Sequence, residues 1–367
     1  MNDLHDLITT DDQGASRMMA LLRHPDVAQI TANRHDRIFY ADAQGSKGLD
    51  PVFTPTTYLN WINQLMSLTD VGYPDIAKVS GAVVEGSFDP AKTDVHGSIH
   101  VCTREITRGD PIVTIRKQPR DTITLDKMFE QGMMDERMRL FLEQAVRGRL
   151  NIALSGGSGA GKTTLARAMS WYIDPNNRVI TIEDIDELHL ADRLPNVVSL
   201  TRHRLRNEQG VVLRETTLTD LVEEALRMRA DRIWVGETRG KEAYALTKAM
   251  NTGHDGSVTT VHADTSQAAW KQLVGYVMEA GVPQEVARDR VATAFHLSVQ
   301  ISRGRMGRRM ITEVTELETA TEGSELRRIP LFKYNAEQDR FEMVGAPSKH
   351  LITALERYGA NGYDVFT

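Results

Sequence analysis

Through the first third of the chain, short apolar runs alternate with polar punctuation. A polar start leads into a short helical pattern over Ser16–Leu22, which His24-Pro25-Asp26 breaks. Val27–Ile30 and Arg37–Tyr40 then read as two strands around a polar turn. Over Pro55–Thr69, Tyr58, Trp61, Ile62 and Met66 recur close to helical spacing, the stripe of a helix facing a core. Ser98–Thr103 and Pro111–Ile115 read as two further strands. Together these predict a small α+β domain over residues 1–116. The polar, proline-bearing run Arg116-Lys117-Gln118-Pro119-Arg120 then marks a linker, placed at 117–124.

Beyond the linker the rhythm changes. Thr124-Leu125-Asp126-Lys127 opens an amphipathic helix carrying Met138, Phe141, Leu142, Ala145 and Val146, and Gly148 ends it. Strand-length runs then alternate with helical ones: Leu150–Ser155, Arg178–Glu183, Leu218–Met228, Arg232–Gly236, Ala243–Met250 and Ser257–His262. This alternation predicts a mostly parallel sheet covered by helices across residues 125–367. Two helices (Ser266–Ala280, Pro283–Phe295), a strand (Leu297–Ile301) and an Arg-rich hairpin through Arg303, Arg305, Arg308 and Arg309 complete the pattern.

Composition narrows the function classes. At 367 residues the length suggests two domains, and 41% hydrophobic with 26% charged content is that of an ordinary globular protein. A net charge of −6 offers no global basic footprint for nucleic acid. Cys102 stands alone, so no intramolecular disulfide forms, which fits a reducing compartment. No apolar run approaches the roughly 18 residues of a membrane span, and the acidic N-terminus lacks a signal-peptide layout. A cytoplasmic protein whose membrane contacts are peripheral is expected.

The chemistry gathers at the run Leu150–Ser155. It feeds Gly156-Gly157-Ser158-Gly159-Ala160-Gly161-Lys162-Thr163-Thr164, and a helical pattern begins at once (Leu165, Ala166, Ala168, Met169). Strand, Gly-rich loop and helix together make a phosphate-binding loop. The glycines let backbone N–H groups converge on phosphate oxygens, Lys162 neutralises the β- and γ-phosphates, and Thr163 ligates Mg²⁺. A nucleoside triphosphatase also needs an acid at a neighbouring strand end. Arg232–Gly236 supplies one in Glu237, preceded by Gly236 where an Asp is usual. Ile180-Thr181-Ile182-Glu183-Asp184-Ile185-Asp186-Glu187 supplies a second acidic cluster, whose carboxylates repel unless a cation sits among them. His254 and His262 bracket another strand. Zinc is disfavoured there, because histidines eight apart with a single Cys match no usual zinc spacing.

These elements, in this order, resemble the boxes of the secretion and pilus-assembly traffic ATPases of type II and type IV secretion, conjugation and Tad pili. Gly156–Thr163 looks like their Walker A, Thr181–Glu187 like their Asp box, Leu226–Ile233 running into Gly236-Glu237-Thr238-Arg239-Gly240 like their Walker B, and Met250–Ala263 like their His box. Pro25-Asp26-Val27 with Asp36-Arg37-Ile38-Phe39, Thr114–Lys117, and Gln300–Arg303 with Glu313–Glu316 resemble the type IV secretion and Tad branch. The resemblance implies an α/β fold, a RecA-like P-loop ATPase domain with a smaller N-terminal α+β domain, assembled as a homohexamer. It implies ATP and Mg²⁺ as ligands, with Thr163 and Glu237 at the metal and Glu183 or Glu187 as general base. His254 and His262 would couple the γ-phosphate to the sheet, and Arg116 would reach nucleotide from the N-terminal domain. Arg227 and Arg229 would act in cis or as arginine fingers from a neighbouring subunit. Inner-membrane platform or channel proteins of a secretion or pilus system are the implied partners, with no direct sequence-specific nucleic acid. Two departures stand out. The family's Gly-Ser-Arg reads Gly97-Ser98-Ile99 here, leaving Arg104 or Arg108 to substitute, and Val71–Val95 is unlike the family.

A RecA-like nucleic-acid motor is the alternative from another class. It requires a basic channel with stacking aromatics, and the Arg303–Arg309 run is basic without aromatics. A regulatory module without turnover is harder to reconcile with the intact acidic set.

Overall fold

Two sheets with different hydrophobic rhythms organise the chain. The computed structural model describes residues 14–42, 45–50, 53–71, 75–79, 83–89, 92–117, 123–206, 212–304, 308–318, 327–361 and 364–366. The polar start through residue 13, linker residues 118–122 and Arg305 lie outside the described residues. The chain divides into one unit of Met1–Asp121 with Arg204–Glu215 and a second of Thr122–His203 with Thr216–Thr367.

In the first unit the described elements run α1 (Gly14–Arg23), β1 (Gln29–Arg34), β2 (Arg37–Asp42), β3 (Gly45–Leu49), α2 (Pro55–Ser67), β4 (Val83–Ser87), β5 (Gly97–Cys102), α3 (Arg104–Thr107) and β6 (Ile112–Lys117). The strands pair antiparallel in the order β3-β2-β1-β6-β5-β4. Antiparallel strands with one covered face carry an inward residue at every second position. Ile30 and Ala32 of β1, Ile99 and Val101 of β5, and Val113 and Ile115 of β6 are all buried. They share a core with Tyr58, Trp61, Ile62, Leu65 and Met66 of α2. A reciprocal Thr54–Thr57 capping box and Pro55 in its first turn start that helix. β3 and β4 were not expected. Both are edge strands, and Gly45-Ser46-Lys47-Gly48-Leu49 has no apolar alternation because an edge strand facing solvent needs none.

The second unit contains α4 (Leu125–Glu130), α5 (Glu136–Arg147), β7 (Ile152–Gly156), α6 (Lys162–Met169), β8 (Val179–Glu183) and β9 (Val197–Thr201). After β10 (His203–Arg206) and β11 (Val212–Thr216), which pair with each other and fall mostly in the first unit, come α7 (Leu218–Ala225), β12 (Arg232–Val235), α8 (Glu242–Met250) and β13 (Val258–His262). Then follow α9 (Ser266–Met278), α10 (Gln284–Ala294), β14 (Leu297–Arg303), β15 (Arg309–Glu318), β16 (Arg327–Asn335), β17 (Arg340–Met343) and α11 (Lys349–Glu356). Nine described strands form one sheet in the order β17-β16-β15-β14-β7-β13-β12-β8-β9. The six from β14 to β9 are parallel and the remaining three antiparallel.

Every residue of β7, β8 and β12 is buried, because helices cover both faces of the sheet. Leu125, Phe141, Leu165 and Leu351 belong to the core on one face. Leu221, Leu246, Leu273 and Val291 belong to the core on the other. The single helix expected from Thr124 to Gly148 is two helices. Gly132 turns the chain in the left-handed region at φ 71°, and Asp135 caps α5 by accepting from the Met138 N–H at 2.8 Å.

Arg232 opens β12 inside the protein at 2% exposure. Its guanidinium donates to Asn177 Oδ1 and to the Val146 carbonyl, each at 2.9 Å, and burial lowers its pKa to about 10. Arg232→Ala strands both acceptors in a dry site. A loss of about 3 kcal/mol is expected from hydrogen bonds to a charged donor, read as a lower denaturation midpoint with no loss of far-UV helix signal at room temperature.

Candidate active site

The parallel register sets this site. β7 pairs with β13 so that Gly156 lies beside His262, and with β14 so that Gly156 lies beside Ile301. The loop after Gly156 and the segments after β13 and β12 therefore open at the same edge of the sheet. A Cβ on Gly156 would sit 2.4 Å from the Ile301 carbonyl oxygen, so no side chain fits at the loop's entrance. Gly161, at φ 105°, turns the chain into α6, whose first-turn N–H groups have no partner within the helix.

Lys162 donates to the carbonyls of Gly156 and Gly157 at 2.9 and 3.0 Å. Its Nζ also lies 3.3 Å from His262 Nδ1, and His262 Nε2 lies 3.0 Å from Glu237 Oε1. With the ammonium donating to Nδ1, the imidazole carries its own proton on Nε2 and donates it to Glu237. Burial pulls the Lys162 ammonium below its ordinary pKa, while the charges of Glu237 and Glu187 oppose that shift. Glu187 therefore stands within electrostatic reach of the loop lysine.

The acidic cluster is resolved residue by residue. Glu183 is buried at the end of β8, and Oε1 accepts from the N–H groups of Glu187 and Leu188, both at 3.1 Å. Burial, and next the charge of Asp186, push its carboxyl well above the usual range, and Oε2 has no partner among the described residues. Asp184 is clasped by Arg202 at 3.1 Å and by Arg239. Arg239 also reaches Glu237 Oε2 at 3.4 Å, so one guanidinium ties the two acidic segments together. A Cβ on Gly236 would lie 2.7 Å from Glu183 Cγ, which explains the glycine where an Asp was looked for. Below the loop, Ser155 Oγ donates to Gln300 Oε1 at 2.5 Å, and Gln300 Nε2 donates to the Ala263 carbonyl at 3.1 Å. Sequence reading missed Arg239 and Gln300 as site residues. Arg239 follows Glu237 by two positions, and Gln300 is a long polar side chain in the middle of a largely buried strand, which is the signal that was available.

Other candidates lie elsewhere. His254 sits before β13, at the opposite end of that strand from His262, with Nδ1 3.2 Å from the Ala249 carbonyl. Arg227 and Arg229 precede β12 at the same far edge, about 13 Å of strand away from the loop side. Arg227 pairs with Glu224 at 2.9 Å, and Arg229 is exposed at φ 54°. Arg116 is exposed on β6 of the first unit. Ile99, at the family's arginine position, points into that unit's core at 0% exposure, so this position presents no side chain outward. Arg104 and Arg108 are exposed.

A cavity of about 270 Å³ adjoins the loop. Ile123, Met128 and Met133 line it together with Gly161 and Thr164 of the loop and Arg309 of β15.

Residues 99–301 match the family model described as Type II/IV secretion system protein. Over 319 residues, 86% of this chain and 87% of the relative, the sequence is 33% identical to a protein described as a putative conjugal transfer protein of Mycobacterium tuberculosis (strain H37Rv). Over 151 residues, 41% of each chain, it is 41% identical to the type IV secretion system protein VirB11 of Bartonella quintana. The X-ray structure of the Legionella pneumophila ATPase DotB superposes with a TM-score of 0.54 at 18% identity, covering 89% of this chain and 82% of that one. That likeness shows a shared α/β fold. With more than half its length matched by the family model and a 33% identical relative aligned along most of both chains, the chain belongs to the type II/IV secretion system protein family.

Proposed function

We propose that this chain is a motor ATPase that works as a homohexamer. In this reading ATP hydrolysis powers transport at a bacterial inner membrane, alongside platform or channel proteins of a secretion, conjugation or pilus system. The contact chain Lys162–His262–Glu237 carries the reading, because it links the phosphate-loop lysine to an acid at a strand end through one titratable ring. Family membership supports the transport role. A peripheral site at the membrane agrees with the described helices, none of which is long and apolar enough to cross one.

The residues fit a triphosphate and its metal. Lys162 already donates to two oxygen acceptors, and phosphate oxygens compete for the same donors. The Thr163 hydroxyl and the Glu237 carboxylate are hard oxygen ligands of the kind Mg²⁺ takes. Bound there, Mg²⁺ would neutralise charge on the β- and γ-phosphate oxygens. In hydrolysis a water oxygen bonds to the γ-phosphorus, the bond to the β–γ bridging oxygen breaks, and ADP departs with that electron pair. We assign the water's proton to Glu187, whose charge reaches Lys162, and a positioning role to Glu183, which pins the Glu187 N–H. His262 orients Glu237 and senses the loop lysine. Arg227 and Arg229, at the far edge of the sheet, act only from a neighbouring subunit in this reading, as arginine fingers.

ATP turnover measured against protein concentration, with mass measured alongside, tests the proposal. Wild-type turnover per subunit is expected to rise as a ring assembles. Arg229→Ala is expected to lower turnover by about 10³ while leaving assembly intact. A monomer with concentration-independent turnover would reject the ring, and strong stimulation by bare DNA would favour the nucleic-acid motor. Glu187→Gln and Glu237→Gln are each expected to cut turnover by at least about a hundredfold while retaining ATP binding. A fully active Glu187→Gln enzyme would rule out that residue as base.

Glu183 makes a separate prediction. Its folded-state pKa lies above the ordinary value of 4.5, so the folded chain holds a proton that the unfolded chain releases. The stabilising contribution is complete below pH 4.5 and is lost as pH rises toward the folded-state pKa. Glu183→Gln removes this dependence while keeping the acceptor for Glu187 and Leu188. The denaturation midpoint of the variant should therefore gain on wild type as pH rises above about 4.5 toward the folded-state pKa. A constant difference across that range would contradict the protonated state.

A further inference from the structure

Two guanidinium groups lie against the phosphate loop on the side away from its catalytic acids. A Cβ built on Gly159 would be 3.3 Å from Arg303 Nη2, and one on Gly161 would be 3.3 Å from Arg309 Cδ. The two arginines are register partners across the β14–β15 ladder. Like charges placed directly opposite on paired strands oppose folding, so such an arrangement calls for a compensating anion. None is present among the described residues. Burial and then the Arg303 charge lower the Arg309 pKa, and no carboxylate acts on it. The neighbouring Arg308 differs, since it donates to the Gly132 carbonyl at 2.8 Å and meets Asp339 at 3.4 Å.

Topology says which part of a nucleotide would pass here. β13, carrying His262, flanks β7 on one side, and β14, carrying Arg303, flanks it on the other. Lys162, His262 and Glu237 mark the γ-phosphate end. The cavity walled by Ile123, Met128, Gln131 and Met133 marks an end of mixed apolar and polar lining, and Arg308 and Arg309 line that cavity together with Gly161 and Thr164. A pocket of this size is near the small end for ligand sites and suits a base and sugar more than a whole triphosphate.

We propose that Arg303 and Arg309 form a same-chain clamp on the α- and β-phosphates, the part that ATP and ADP share. This rests on the nucleotide reading of the loop and extends it to retention of the product. The clamp grips ADP as firmly as ATP and so sets how long each subunit stays loaded. Arginine suits the task, because its planar fork pairs with two phosphate oxygens at once.

Equilibrium binding of ADP and of adenosine, measured by calorimetry or by displacement of a fluorescent ADP analogue, tests the clamp. Arg303→Ala and Arg309→Ala should each weaken ADP about tenfold, the loss of one charge-assisted hydrogen bond. Arg309→Lys should fall between, since it keeps the charge and loses the fork. Adenosine, which has no phosphate, should bind all of them as it binds wild type. Arg340→Ala removes the same charge from β17, where Arg340 pairs with Glu342 at 2.9 Å, and should leave ADP affinity unchanged. Wild-type ADP affinity in both alanine variants would overturn the clamp alone. Equal losses for ADP and adenosine would also overturn it, by showing that the arginines support the base end or the fold. Failure of the wild-type chain to bind ADP would bring down the nucleotide reading and the clamp together.

Discussion

The site depends on one constraint, the parallel register of β7 between β13 and β14. In that register Gly156 stands beside His262 on one flank and Ile301 on the other. A one-residue slip would reverse the facing of every side chain on the strand. It would also separate Lys162 from His262 and remove the carbonyl against which Gly156 has no room for a side chain. The burial of β7 on both faces resists such a slip, so packing energy and site geometry are held by the same residues. Ser155 and Gln300 extend that hold by tying β7 to β14 through side chains within the sheet.

The acidic residues are organised by contrast of environment. Asp184 meets two arginines, Glu237 meets a histidine and an arginine, and Glu183 is left buried with backbone N–H groups as its only described partners. The same carboxylate group is thus a counter-ion to arginines at Asp184, a histidine and arginine partner at Glu237 and a buried acceptor at Glu183, each set by burial and neighbouring charge. Arg239 joins the segments after β8 and β12, so a shift in either is felt by the other.

Closeness in sequence misleads for His254, Arg227 and Arg229. Each is a few residues from a strand whose other end opens on the phosphate loop, yet a strand carries its two ends apart by about 3.3 Å per residue. His254 and His262 bracket one short strand and therefore belong to opposite edges of the sheet. Edge strands mislead in the reverse sense. β3 and β4 carry little apolar alternation because one side of each meets solvent, so periodicity alone passes over them.

By itself the sequence determined the strand–loop–helix at Leu150–Met169, the alternation that makes a parallel sheet, and the acids placed just beyond strand ends. Those features are local: the backbone freedom of Gly161, the apolar runs of doubly covered strands and the start signals of helices act within a few residues. It also carried the family resemblance, because that rests on the order of such local boxes. Only the tertiary structure decided that His262 and not His254 meets Lys162, that Ile99 faces a core, and that Gly236 makes room for Glu183. The facing of Arg303 and Arg309 beside the loop was likewise settled there. Each of these depends on strand register and on which strands are neighbours, and the pairing of segments far apart in the chain follows from the packing of the whole domain.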